Sequence, residues 1–177
     1  MELTYQTHVV APFLLTQLLL PLMGEGSSVI TVSSGGMYLQ GLRPDQLRHG
    51  PAPYDGVRAY AMAKRAQVVL NGEWARRLDS PMFHAMHPGW ADTPGVAHSL
   101  PGFHRIVGPW LRSPEQGADT IVWLASNPEG LGPSGRFWLD RRQRGTIRLP
   151  WTATSTETSQ ELWDMVARDA GVSAPSR

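Results

Sequence analysis

The sequence predicts an α/β fold built on a parallel sheet, and three observations predict it. Short β-branched or apolar runs at residues 28–33, 82–87 and 135–140 alternate with segments of helical pattern. The run at 28–33 lacks a polar face, as a strand covered on both sides would. Each gap between runs is long enough for a helical crossover, and such crossovers return strands parallel and right-handed.

The first 23 residues are predicted to form a largely buried helix. Val9, Val10, Phe13, Leu14, Leu18 and Leu22 fall on roughly one face, Pro12 bends the helix or marks an irregularity, and Gly24-Glu25-Gly26 ends it. The apolar run from Phe13 to Met23 is about half of the ~20 residues a bilayer span needs, and no basic segment precedes it. A buried helix is expected there, not a signal or a transmembrane segment. The strand at 28–33 runs into Ser34-Gly35-Gly36. Residues 39–57, rich in Pro, Gly, Asp and His, read as a surface loop or lid with a short helix around Asp45-Gln46-Leu47. A long helix is expected over 58–78, then a strand over 82–87 stopped by Pro88-Gly89. Residues 90–113 read as irregular, with a short helix near 103–111. Ser113-Pro114-Glu115-Gln116 combines an N-cap, a first-turn proline and an acid, so a helix starts there and runs to about 125. The third strand covers 135–140. A polar Thr/Ser stretch at 152–159 leads to a final amphipathic helix over 160–170, with a frayed tail after Gly171.

Composition narrows the chemistry. With 177 residues, 41% hydrophobic and 18% charged, the chain suits one domain with a core, read as residues 1–150, followed by a polar linker and C-terminal helix at 151–177. A net charge of +1 gives no reason to expect nucleic acid. The cluster Arg141, Arg142, Arg144 and Arg148 reads as a solvated loop or strand end. With no cysteine, disulfides, Cys-ligated zinc and thiol catalysis are excluded, and an intracellular, cytoplasmic location is expected.

The sharpest chemical feature is Tyr60-Ala61-Met62-Ala63-Lys64. A spacing of four puts the phenol and the ammonium on one helix face. An ammonium beside a phenol favours the phenolate, so Lys64 is expected to lower the Tyr60 pKa and let the tyrosine pass a proton to or from a substrate oxygen. Lys64 is the only lysine, against 15 arginines, and lysine is the cation suited to tuning a neighbour's pKa. Ser34 follows the strand before this helix and could hydrogen-bond a substrate carbonyl or, as plainly, satisfy nearby backbone. Pro88-Gly89 follows the next strand and could bring backbone close to a ligand or simply turn the chain. In open α/β sheets ligands bind beyond the carboxyl ends of strands, where all these residues fall.

Together these residues resemble the short-chain dehydrogenase/reductase family. Its pattern is a serine after the fifth strand, Tyr-x-x-x-Lys on the next helix and Pro-Gly-x-x-x-Thr after the sixth strand. It falls here on Ser34, Tyr60 with Lys64, and Pro88-Gly89 with Thr93. The resemblance covers nearly the whole chain. It implies the C-terminal part of a Rossmann-type doubly wound parallel sheet, with three strands and flanking helices, that lacks the N-terminal Gly-rich βαβ units. It implies Tyr60 as general acid/base, and Lys64 as the residue that tunes it and holds the nicotinamide ribose. Ser34 would orient the carbonyl, and Pro88, Gly89 and Thr93 would border the nicotinamide. The cofactor would be NAD(P), with NAD and NADP undecided, and the substrate a small carbonyl or alcohol compound. Met, Leu, Phe and Trp in 39–57 and 90–113 suggest a lipophilic one. Self-association through the long helices, as a homo-oligomer, is also implied.

Two departures qualify this. The family's Asn-x-x-Gly block falls on His8 and Ala11, so His8 is not counted as catalytic, and His84 and His87 read as structural or solvated. The Gly-rich turn for the dinucleotide pyrophosphate does not occur in the 177 residues. The chain is accordingly expected to bind dinucleotide poorly, as a truncated form of such an enzyme. The alternative expectation is an inactive isoform that acts as a binding partner through an exposed sheet edge.

Overall fold

The computed structural model describes residues 1–92, 111–127 and 132–173. The N-terminal helix, α1, is composite: an α turn at Leu3–Tyr5, a π turn at Gln6–Val10, an α segment at Ala11–Leu19 and a 3-10 turn at Leu20–Leu22. Then follow β1 (Ser28–Val32), a 3-10 turn (Gly35–Tyr38), α2 (Pro44–His49), α3 (Gly56–Arg77), β2 (Met82–Met86), α4 (Pro114–Ser126), β3 (Arg136–Leu139), β4 (Arg142–Arg144), a 3-10 turn (Pro150–Thr152) and α5 (Thr156–Ala170). The helix expected near 103–111 lies almost wholly outside the described residues.

The strands form one sheet in the order β1-β2-β3-β4. The β1–β2 and β2–β3 pairs are parallel, with Val32 opposite Met86 and Ala85 opposite Phe137. Three strands are expected from the sequence, and the fourth is a correction. β4 turns back antiparallel on β3 through Asp140 and Arg141, both at positive φ (55° and 54°). Two such residues make the tight turn whose twist suits a hairpin. The strand escapes sequence reading because it is three polar residues long and its turn carries no glycine. The basic cluster is thus partly strand, and two of its side chains are engaged. Arg141 pairs with Asp119, and the Arg148 guanidinium lies over the Tyr38 ring, 4.6 Å from its centroid.

The core lies between the sheet, α1, α3 and α5. α3 starts where Asp55 accepts hydrogen bonds from the N–H groups of Val57 and Arg58, 2.9 and 3.1 Å away, satisfying two of the donors that a helix start leaves free. Its alanines Ala59, Ala61, Ala63 and Ala66 are buried, and their small size lets the backbone after β1 approach: a side chain at Gly36 would start 3.6 Å from the Ala61 Cβ. Trp74 is the hub. It stacks on Phe83 from β2 with ring centroids 5.5 Å apart, and meets Trp163 of α5 edge-on at 4.7 Å and Phe13 of α1 at 4.9 Å. α5 begins four residues earlier than its pattern suggests, because Ser155 caps it by accepting from the Thr158 N–H. It buries Leu162, Trp163 and Val166 in this same cluster. Arg65, buried on α3, donates to the carbonyls of Thr146 and Thr152 and so pins the connection between β4 and α5.

α1 is less buried than expected. Tyr5, Val9, Val10 and Phe13 are buried, but Leu15, Leu18 and Leu22 are exposed, Leu22 at 81%. Leu18 follows Phe13 by five residues within the same α segment, about 140° around the helix, so it points away from the face that Phe13 buries. The π turn sits just before Pro12, where an irregularity is expected. β1, expected to be covered on both sides, is half-exposed and forms the sheet edge among the described strands.

Candidate active site

The carboxyl ends of β1 and β2 and the first half of α3 converge. The Ser33 N–H donates to the Met86 carbonyl at 2.7 Å, extending the parallel pairing one residue beyond β1. The buried Ser33 hydroxyl donates to the Lys64 carbonyl at 2.9 Å, tying the strand end to α3. Ser34 then leaves the strand and caps the 3-10 turn, its hydroxyl oxygen accepting from the Gly36 N–H at 3.3 Å. With one lone pair so engaged, its O–H can donate to an incoming oxygen.

Tyr60 and Lys64 stand on the face of α3 that meets this strand end. Lys64 is only 7% exposed, whereas Tyr60 is 39% exposed and can be reached from outside. The ammonium lies 5.5 Å from the centroid of the Tyr60 ring. It donates to the Val32 carbonyl at 2.9 Å and to Gln67 Oε1 at 3.1 Å. An ammonium has three donors, so one N–H is left over for a ligand hydroxyl. Burial holds Lys64 down, at about 8.

The expected lowering of the Tyr60 pKa is not what the structure gives. Burial pushes the phenol above its ordinary value, and its hydrogen bond with Ser34 pulls only partly against that. The cause is geometric. Lys64 sits against the ring and spends its hydrogen bonds on Val32 and Gln67, and none goes to the phenol oxygen among the described residues. His8 belongs to this site as well. Its imidazole meets the Tyr60 ring edge-on, centroids 5.5 Å apart and planes at 88°. Burial first, and the Lys64 charge second, hold it below the usual histidine pKa and so favour the neutral ring. The family pattern points to position 8 through its Asn-x-x-Gly block, but the contact between residues 8 and 60 is a tertiary fact.

The loop after β2 lies beside Ser34. His87 is 7% exposed, stacks on Phe137, and accepts from the Gly89 N–H through Nδ1 at 3.2 Å. Its Nε2 is buried without a hydrogen-bond partner among the described residues. Burial and the Arg112 charge depress its pKa to about 4, so the ring is neutral at ordinary pH. A side chain at Gly35 would start 3.6 Å from the His87 ring, so the two loops pack directly on each other. Gly89 has φ +78, and a Cβ there would lie 2.7 Å from the Arg112 guanidinium. Arg112 donates to the Pro88 carbonyl at 3.1 Å and forks onto Asp140 at 2.6 and 3.0 Å, anchoring the turn to the β3–β4 hairpin. Thr93 lies outside the described residues. No group of three His, Asp or Glu is arranged to hold a metal ion among the described residues.

No family model matches the chain. Known proteins do. It is 43% identical over 164 residues to human dehydrogenase/reductase SDR family member 12, covering 91% of this chain and 51% of that protein. It is 34% identical to the putative daunorubicin C-13 ketoreductase of a Streptomyces strain, covering 98% of this chain and 59% of that protein. It is 30% identical to human retinol dehydrogenase 14, covering 93% and 51%. The chain thus spans about half the length of the curated relatives it matches. Sequence likeness to several such reductases and dehydrogenases and a parallel sheet with the serine, tyrosine and lysine gathered at its carboxyl end agree: the chain belongs to the short-chain dehydrogenase/reductase family.

Proposed function

We propose that this chain carries the proton-transfer and substrate-facing part of an NAD(P)-dependent oxidoreductase that interconverts a lipophilic carbonyl and its alcohol. The observation that carries the reading is the reachable Tyr60 phenol, held down in part by Ser34, with the buried Lys64 ammonium against its ring. When bound, a nicotinamide supplies or accepts the hydride at the carbonyl carbon. The Ser34 hydroxyl donates to the carbonyl oxygen and holds it beside Tyr60. The Tyr60 O–H gives its proton to that oxygen as the alcohol forms, and takes it back in the reverse direction. A hydride and a proton together make the C–H and O–H bonds of the alcohol.

Two features fit the reactive end of such a cofactor. The third N–H of Lys64 suits a ribose hydroxyl, and the backbone at Pro88-Gly89, bare of a side chain at Gly89, suits a flat ring lying close. The Gly-rich phosphate turn is not in these 177 residues, so the grip on a whole dinucleotide is weak. The test is reduction of a lipophilic aldehyde such as retinal by the purified protein, supplied with NADPH, NADH or reduced nicotinamide mononucleotide at millimolar concentration. Turnover with at least one donor is expected. A folded protein inert with every donor and aldehyde would overturn the reading.

A second reading is favoured by the outer edge of β1, unpaired among the described strands, with Val32 exposed on it. Such an edge accepts a strand from another chain. Binding of that kind would be indifferent to Tyr60→Phe.

A further inference from the structure

Lys64 has no carboxylate partner among the described residues, and both oxygens that receive its ammonium are neutral. One of them, Gln67 Oε1, belongs to a side chain with a second attachment. Gln67 Nε2 donates to the main-chain carbonyl of His8 at 2.7 Å. The α-helical bond to that carbonyl cannot form, because the residue four on is Pro12, which has no N–H. The orientation of the amide is also fixed by chemistry: an ammonium only donates and a carbonyl only accepts, so Oε1 must face Lys64 and Nε2 must face His8. His8 in turn sets its ring edge-on against Tyr60. His8, Gln67, Lys64 and Tyr60 close a ring of contacts that ties α1 to α3.

We propose that Gln67 is a positioning residue, whose amide bridges the Lys64 ammonium to the His8 carbonyl and so fixes the ammonium against the Tyr60 ring. This deepens the reading of Tyr60 and Lys64 as the reacting pair and rests on it. Only a side chain that accepts at one atom and donates at the other can make both bonds. Glutamate keeps the bond to Lys64 and loses the one to His8, and leucine loses both. The other titratable groups facing Lys64 are Tyr60 on its own helix and His8 on α1.

Because Lys64 is the only lysine, biosynthetic labelling with [13Cε]lysine gives a single resonance whose shift reports its titration. Losing the acceptor disfavours the ammonium, so Gln67→Leu is expected to move that titration down by about one pH unit. A carboxylate in its place favours the ammonium, so Gln67→Glu is expected to move it up. In turnover, both variants lower kcat more than they change KM, and their pH profiles move with the lysine. A merely structural role would leave the titration in place. A Lys64 resonance that titrates as in the wild type in a folded Gln67→Glu protein would overturn the proposal, whether or not Gln67→Leu folds. The titration needs neither substrate nor hydride donor, so it answers even for a protein that turns nothing over. Failure of the oxidoreductase reading is read separately, from turnover.

Discussion

At the scale of single residues, the site is set by what burial does to charge. Lys64 lies under the strand end with its charge uncompensated, and burial takes its pKa from 10.5 to about 8. Between those values the unfolded chain holds a proton that the folded chain has released, so stability rises with pH across that window and this group contributes no slope below it. Relative to Lys64→Met, the wild type is expected to gain about 3 kcal/mol from pH 8 to 10.5, measured by urea unfolding at several pH values. Parallel stability curves for the two proteins would contradict the burial of the charge. The Tyr-x-x-x-Lys spacing was legible in the sequence because it is a helix period. Which way the ammonium turns was not. That depends on the Val32 carbonyl and Gln67, partners delivered by the strand end and by the helix itself, and it leaves the free phenol raised where the spacing alone suggests it lowered.

At the scale of elements, the turns do the positioning. The Ser34 turn and the Pro88-Gly89 turn are adjacent because β1 and β2 are parallel neighbours in register, an arrangement that alternation of strand and helix patterns already suggests. Gly89→Ala is expected to destabilise by about 1–2 kcal/mol from the positive φ alone, and also to push the Arg112 guanidinium off Asp140, since the new Cβ would sit 2.7 Å from it. Thermal unfolding checks the first effect. Arg112→Ala/Gly89→Ala checks the second, because it should lose less than the sum of the two single losses. Elements with a strong signature of their own were readable: the α4 start, with Ser113 and Gln116 capping each other, and α3 with its good helix formers. β4 was not, because a three-residue polar strand is made by its hairpin turn and its partner β3. The π turn of α1 was only hinted at by Pro12.

For the whole molecule, α5 joins the chain's end to its main core. Trp163 packs on Phe13 and Trp74 and lies under the Arg77 guanidinium, 4.1 Å from its carbon. Trp163→Ala is expected to cost about 3–5 kcal/mol in denaturant unfolding, enough to melt a domain of ordinary stability. A loss under ~1 kcal/mol would mean that α5 is an appendage. The amphipathic pattern of α5 showed that it needed a partner surface, but only the fold shows that the surface is Trp74, the residue that also backs β2 through Phe83. The same core that α5 completes holds α1 against α3, and so holds His8 beside Tyr60. Stability and the site are therefore linked through Phe13 and Trp74.

Under the proposed function, Tyr60 moves the proton in this chain. The most direct test is the rate of aldehyde reduction by wild-type and Tyr60→Phe proteins at equal millimolar hydride donor, with melting curves to show both are folded. Turnover is expected in the wild type, with a loss of about 100-fold or more on removing the single hydroxyl, the scale of general acid–base catalysis. A Tyr60→Phe protein that reduces the aldehyde as fast as the wild type would contradict that role for Tyr60.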